Sequence, residues 1–173
     1  MTDFVSIDIK TDGKLKKIVR QLQNADDKAL GRVAQQVHRE LKKTINTMQL
    51  LGKSKQLRKT TTVKKIKRMH YHIGPTRKYA KWVNYGTGIH SPGGQGWITP
   101  KNTKVLHWVD KEGDEHFAPF VEGQEPAFFL EATVYKATPQ VNRWYNDYLA
   151  AEINRILTGS GGGMGGGPVP GGL

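Results

Sequence analysis

The sequence predicts an α+β domain: a small antiparallel sheet with a long N-terminal helix packed on it, a β-hairpin and a C-terminal helix. Three observations carry this. Leu30, Val33, Val37, Leu41, Ile45 and Met48 recur at steps of three and four, one face of a long helix. Short alternating segments come next, bounded by glycine, proline and acidic turn residues. A second apolar face, Val141, Trp144, Tyr145, Tyr148, Leu149, Ile153 and Ile156, marks the last helix.

Taken in order, Phe4, Val5, Ile7 and Ile9 alternate loosely and predict a short strand within residues 2–10. Asp12-Gly13 is a turn, with Asp12 placed to cap the helical segment after it. Leu15, Ile18, Val19 and Leu22 form one helical stripe. The long helix then runs from roughly Asp26 to Met48, with Asn24, three residues before Asp27, as its cap. Gly52 to Thr62 holds few large apolar residues and reads as a mobile basic arm or loop. Val63, Met69, Tyr71 and Ile73 fall on one side of a half-buried strand. Lys64, Arg68, His70 and His72 fall on the other with Ile66, and the basic end extends as a hairpin arm. Gly74-Pro75 ends it. Tyr79 to Tyr85 is apolar but too short for periodicity to assign as helix or strand. Gly86 to Gly96 is a loop. Val105 to Val109 is a strand, residues 110–114 a hairpin turn, and Glu115 to Val121 the return, with Pro119 marking an edge or bulge. Pro126 opens the last helix, since its missing N–H has no partner there anyway. Ala127 to Ala137 is its first stretch, and Thr138-Pro139 brings a kink or a fresh start. Residues 1–158 make one domain with a basic arm at 52–68. Residues 159–173, rich in glycine and proline, make a flexible tail unless a partner orders them.

Charge is distributed unevenly. The 173 residues carry 27 Lys and Arg against 15 Asp and Glu, a formal charge of +12. Residues 1–40 hold eight basic and six acidic side chains. Residues 41–109 hold fifteen basic and no acidic ones, and residues 110–173 hold four basic and nine acidic. The densest basic run is Lys53, Lys55, Arg58, Lys59, Lys64, Lys65, Lys67 and Arg68; the acids gather at Asp110, Glu112, Asp114, Glu115, Glu122 and Glu125. A basic field of this kind attracts polyanions. Nucleic acid, an acidic protein surface or the acidic third of a neighbouring copy would each satisfy it, and the last suits head-to-tail subunit contacts.

Other classes fall away. The chain has no cysteine, hence no disulfide, thiolate metal site or cysteine nucleophile, which suits a reducing cytoplasm. No run approaches the ~18 apolar residues of a membrane span, and Met1 to Lys10 lacks a basic-then-apolar signal pattern. His70 and His72 share a strand face, but no third metal ligand stands at a helpful spacing. Gly86-Thr87-Gly88 lacks the further glycine of a dinucleotide fingerprint, since position 91 is Ser91. No nucleophile elbow, zinc-protease helix or phosphate loop occurs. Neither an enzyme nor a cofactor is expected. Trp82, Tyr85, Trp97, Trp108, Phe117 and Phe120 lie near loops and read as core and subunit interface ahead of base-stacking platforms.

Two motifs remain. One is Tyr79-Ala80-x-x-Val83-Asn84-Tyr85-Gly86-Thr87. The other is Val121-Glu122-Gly123-Gln124-Glu125-Pro126-Ala127-Phe128-Phe129-Leu130-Glu131-Ala132. In this order, after a long helix and a Leu57-Arg58 segment, the chain resembles the small neck or tail-completion proteins of long-tailed bacteriophages over roughly residues 25–150. Asn84 stands where that family carries an acid, and Pro126 lies two residues earlier than its proline. The glycines permit sharp reversals; Phe128, Phe129 and Leu130 enter the core or an adjoining subunit.

The resemblance implies a virion protein of the neck, assembled in the bacterial host cytoplasm, with copies closing into a ring between the DNA-filled head and the tail tube. Its implied partners are copies of itself, head-closure or connector proteins, tail-terminator or tail-tube proteins, and genomic double-stranded DNA in the lumen, with no membrane. Within this frame the basic arm meets the acidic 110–131 region of the next copy. A tail-terminator ring capping the tube is the nearest alternative. A DNA-binding module with Lys64, Lys65, Lys67 and Arg68 on phosphates is the alternative of a different class.

Overall fold

A computed structural model describes residues 13–48, 54–110 and 112–159. The expected strand at 2–10, the Asp12 cap, Lys53 and the tail beyond Gly159 lie outside these residues.

Helix α1 runs unbroken over Gly13–Thr47. The two stripes that the sequence separates at Asn24 belong to one helix. Ala25 and Ala29 continue the apolar face between Leu22 and Val33, and both are buried. The Asn24 side chain does not cap; its amide donates to the Arg20 carbonyl at 3.0 Å, a bond made along a helix already formed. Helix α2, Ser54–Lys59, replaces the expected arm or loop. Leu57 holds it in place, fully buried in the core.

Strands β1, Thr61–Lys67, and β2, His70–Pro75, form an antiparallel hairpin where a single strand with a projecting end was expected. Met69 adopts a left-handed φ of 57° in the turn, and a register shift between Lys65 and Lys67 bends β1. Helix α3, Tyr79–Tyr85, resolves the helix-or-strand ambiguity, because Ala80 and Val83 at i and i+3 face the same core. After a 3-10 turn at Gly88–His90, strands β3, Leu106–Val109, and β4, Glu115–Ala118, form the expected second hairpin.

Helix α4 covers Phe129–Leu157 and passes through Pro139 without ending. It starts three residues after Pro126. Pro139 cannot donate to the Tyr135 carbonyl, yet this stretch of the helix faces water, which satisfies that oxygen. Thr138 donates its hydroxyl to the Val134 carbonyl at 2.8 Å beside it.

The architecture is α+β, but its sheet is two separate two-stranded ribbons. The chief companion of α1 is α4, running antiparallel to it. Leu41 and Ile45 of α1 cluster with Leu57, Ala80, Val83 and Phe129 at one end. Val33 clusters with Ala137 and Trp144 further along. Beyond that, Arg32 meets Glu152 at 2.6 Å. The β1–β2 hairpin lies on the outside of α1, where the Tyr71 hydroxyl donates to the Asp27 carbonyl at 3.2 Å. The sequence reading overestimates the sheet because alternating segments look alike whether they pair in one sheet or in two.

Candidate interaction surfaces

The two motifs meet and build a single joint. Asn84, fully buried on α3, is its centre. Its Oδ1 accepts from the Leu130 N–H at 3.0 Å, and its Nδ2 donates to both oxygens of Glu131 at 3.1 and 2.8 Å. Phe128, the residue before α4, sits at a left-handed φ of 47° with no side-chain cap of its own. Asn84 therefore supplies the cap of α4 from another helix. Main-chain bonds run beside it: the Ala127 N–H donates to the Val83 carbonyl and the Phe128 N–H to the Asn84 carbonyl, each at 3.0 Å. The Thr87 N–H donates to the Gln124 carbonyl, and the Gln124 N–H returns to the Thr87 hydroxyl at 2.8 Å.

Gly88 and Gly123 let the two segments touch. Both have positive φ, and a Cβ on Gly88 would meet the Glu122 carbonyl while one on Gly123 would meet that of Thr87. Gly86 sits in the same way against Gln124 and Pro126. Tyr79, Ala80, Val83, Phe129 and Leu130 pack in the first core cluster with Ala127, while Tyr85 and Ala132 are half-buried. This joint fixes where the β3–β4 hairpin leaves the body, since Ile98 and Val121 bridge just beyond it. The Asn84–Glu131 bond explains why an amide suits position 84: a carboxylate there would face another.

The expected basic arm divides in two. Lys65 binds Asp27, and Arg68 donates to the Gln23 carbonyl, so both fold back onto α1. The Lys65 ammonium and then the Met69 N–H hold the Asp27 carboxyl below its ordinary range. Arg58 reaches the Asn46 side chain at 3.4 Å. Lys55 and Lys59 on α2, and Lys64 and Lys67 on β1, stay exposed, with His72 opposite Lys64 and His70 opposite Lys67. The seven described basic residues of this run thus do not form one projecting arm.

The acidic group is more nearly one surface. Asp110 accepts from His116 at 2.7 Å and from the N–H groups of Glu112 and Asp114, each at 2.9 Å. These bonds, that of His116 foremost, lower its carboxyl pKa. Glu115 lies 3.4 Å from His107. Glu112 and Asp114 are exposed at the tip, while Glu122 and Glu125 lie back at the joint. The flanks of this hairpin are aromatic: His107 stacks on Phe117 and Trp108 on His116. Trp97 meets Phe120 edge-on at its base.

One surface escaped the sequence reading. Arg77, Lys78 and Lys81 surround the exposed Trp82 on α3, beside a groove of about 510 Å³ that reaches His72 and Tyr85. The cations were visible in the sequence, but only a helical α3 brings Lys78, Lys81, Trp82 and Tyr85 to one side. Among the described residues, no cluster of His, Asp or Glu is fit to hold a metal ion, and no helix is long and apolar enough to cross a membrane.

Residues 9–86 match the family model described as "Bacteriophage HK97-gp10, putative tail-component". The match takes in α1, α2, the first hairpin and α3 with the first motif, and it agrees with the phage resemblance drawn from both motifs. It points to a structural component of a phage tail, carried in the virion, and to a non-enzymatic role. No curated protein and no solved structure matches the chain.

Proposed function

We propose that this chain is a structural subunit of the head–tail joint, whose copies close into a ring at the neck and leave the genome a central passage. The supporting observation is apolar surface without a partner. Of the described Trp and Phe residues, only Phe129 and Trp144 are buried. Trp82, Trp97, Trp108, Phe117, Phe120 and Phe128 are all exposed, joined by Val134 at 62 % and Tyr135 at 85 %. They lie within residues 82–135, around the motif joint and the second hairpin. So many exposed large apolar side chains mark this region as an interaction face.

Charge supports a head-to-tail arrangement. A heterologous contact repeats the same two different surfaces around a closed ring. Here one surface is acidic and the other basic within the same chain. Static binding to DNA would hinder ejection, so the exposed cations are assigned to protein neighbours. These are the next copy, the connector above and the tail tube below.

Imaging of intact particles tests this. Ring-shaped density for the chain between head and tail is expected, and particles lacking it should accumulate filled heads beside detached tails. Density confined to the end of the tail tube assigns it instead to capping the tube. A chain absent from particles refutes the proposal.

A further inference from the structure

The acidic hairpin and the Trp82 groove are complementary surfaces on one chain, and neither meets the other among the described residues. None of the groove's lining residues comes from the β3–β4 hairpin. Among the described residues, Arg77, Lys78 and Lys81 make no ion pair, and neither do Glu112 and Asp114 at the tip. In sequence, residues 110–115 hold four acids, Asp110, Glu112, Asp114 and Glu115, and a single lysine. Behind it, Phe117 is 62 % exposed and Val109 55 %. The groove presents the matching set: three cations around a 57 %-exposed tryptophan. Asp114 stands seven residues before the Ile98–Val121 bridge, roughly 20 Å along an extended strand. The β3–β4 pairing and the bonds to Asp110 give the hairpin its shape.

We infer that the groove beside Trp82 receives the acidic β3–β4 hairpin of the next copy, with Glu112 and Asp114 facing Lys78 and Lys81 and with Phe117 or Trp108 against Trp82. This rests on the ring reading and names its contact. It replaces the 53–68 run as the basic partner, because Lys65 and Arg68 are already engaged on α1. Electrostatic pairing of this kind sets orientation and speeds encounter, and burial of the aromatic residues supplies the affinity.

A charge-swap experiment on the full chain tests it, read by sedimentation velocity at low and high salt. One variant is Lys78→Glu with Lys81→Glu. The other is Glu112→Lys with Asp114→Lys. All four side chains are exposed, so circular dichroism and melting temperature should match the parent. Each variant alone should lose self-association by on the order of tenfold or more at low salt. Their equimolar mixture should recover it, since every groove then meets a hairpin of opposite charge. Trp82→Ala, which alters no charge, should weaken assembly at both salt levels. A parent that never assembles refutes the ring itself and this contact with it. A parent that assembles, with both charge variants assembling equally tightly, refutes the contact alone. So does a groove variant that assembles normally but loses binding to duplex DNA, which would give the groove to nucleic acid.

Discussion

Replacing Asn84 by alanine should cost about 2–3 kcal/mol, summed from the Leu130 N–H left unpaired at a helix start, about 1–2, and the bonds to the Glu131 carboxylate, about 1. The bonds at issue are those of 3.0, 3.1 and 2.8 Å. Asn84 is fully buried, so water does not readily take its place. For a chain of this size that loss lowers the melting temperature by roughly 5–10 °C. Asn84→Asp is the more informative change. It keeps an acceptor for the Leu130 N–H but sets a carboxylate against that of Glu131. Like charges this close raise the pKa of the introduced acid in the folded state. A raised folded-state pKa contributes stability that is present at low pH and lost as pH rises through it. The Asp variant should therefore be clearly weaker than the parent at pH 7 and approach it near pH 4–5. Thermal or urea unfolding across that range decides it. An Asp variant as stable as the parent at pH 7, or an Ala variant within about 0.5 kcal/mol of it, would show that Asn84 does not hold the two motifs together.

Particular contacts carry further consequences. Gly123→Ala and Gly88→Ala each drive a Cβ into a backbone carbonyl at positive φ, so a loss of at least about 3 kcal/mol is expected; a melting temperature within about 3 °C of the parent's would contradict it. The Asp27 carboxyl is held below its ordinary value by Lys65, so the stability it contributes is present above about pH 4 and lost as pH falls further. Amide exchange at the β1–β2 turn should accelerate there in the parent, and Asp27→Asn should flatten that acid limb. Arg32→Ala should cost about 2 kcal/mol and Glu152→Ala only about 1, because the first takes the 2.6 Å partner from a buried carboxylate, leaving it Lys28 at 3.8 Å and Arg155 at 3.9 Å, and the second leaves only exposed cations. The carboxylate is 3 % exposed against 44 % for Arg32. Equal losses on urea unfolding would contradict this asymmetry.

The long helix and the second hairpin were legible because their signals are local: a 3.6-residue stripe in one, an acidic turn between short apolar runs in the other. The break expected at Asn24 disappears because Ala25 and Ala29 carry the buried face, and alanine leaves little mark in a pattern read from large side chains. Helix α2 was missed for the reverse reason. A single leucine in a basic segment gives no period, and Leu57 becomes core only through α1, α3 and Phe129, residues distant in sequence. The motifs were visible as motifs, but their mutual contact is a tertiary fact. So is the fate of the basic run: sequence proximity suggested one arm, whereas Asp27 and the Gln23 carbonyl draw two of its cations inward.

The central claim is that the folded subunit leaves an aromatic and charged surface to be filled by its own copies. A reconstruction of the purified, assembled protein by electron microscopy tests this most directly. The expected result is a closed ring with Trp82, Trp108 and Phe117 buried between adjacent subunits. A monomer at high concentration and low salt, or a ring leaving those three side chains in water, would contradict it.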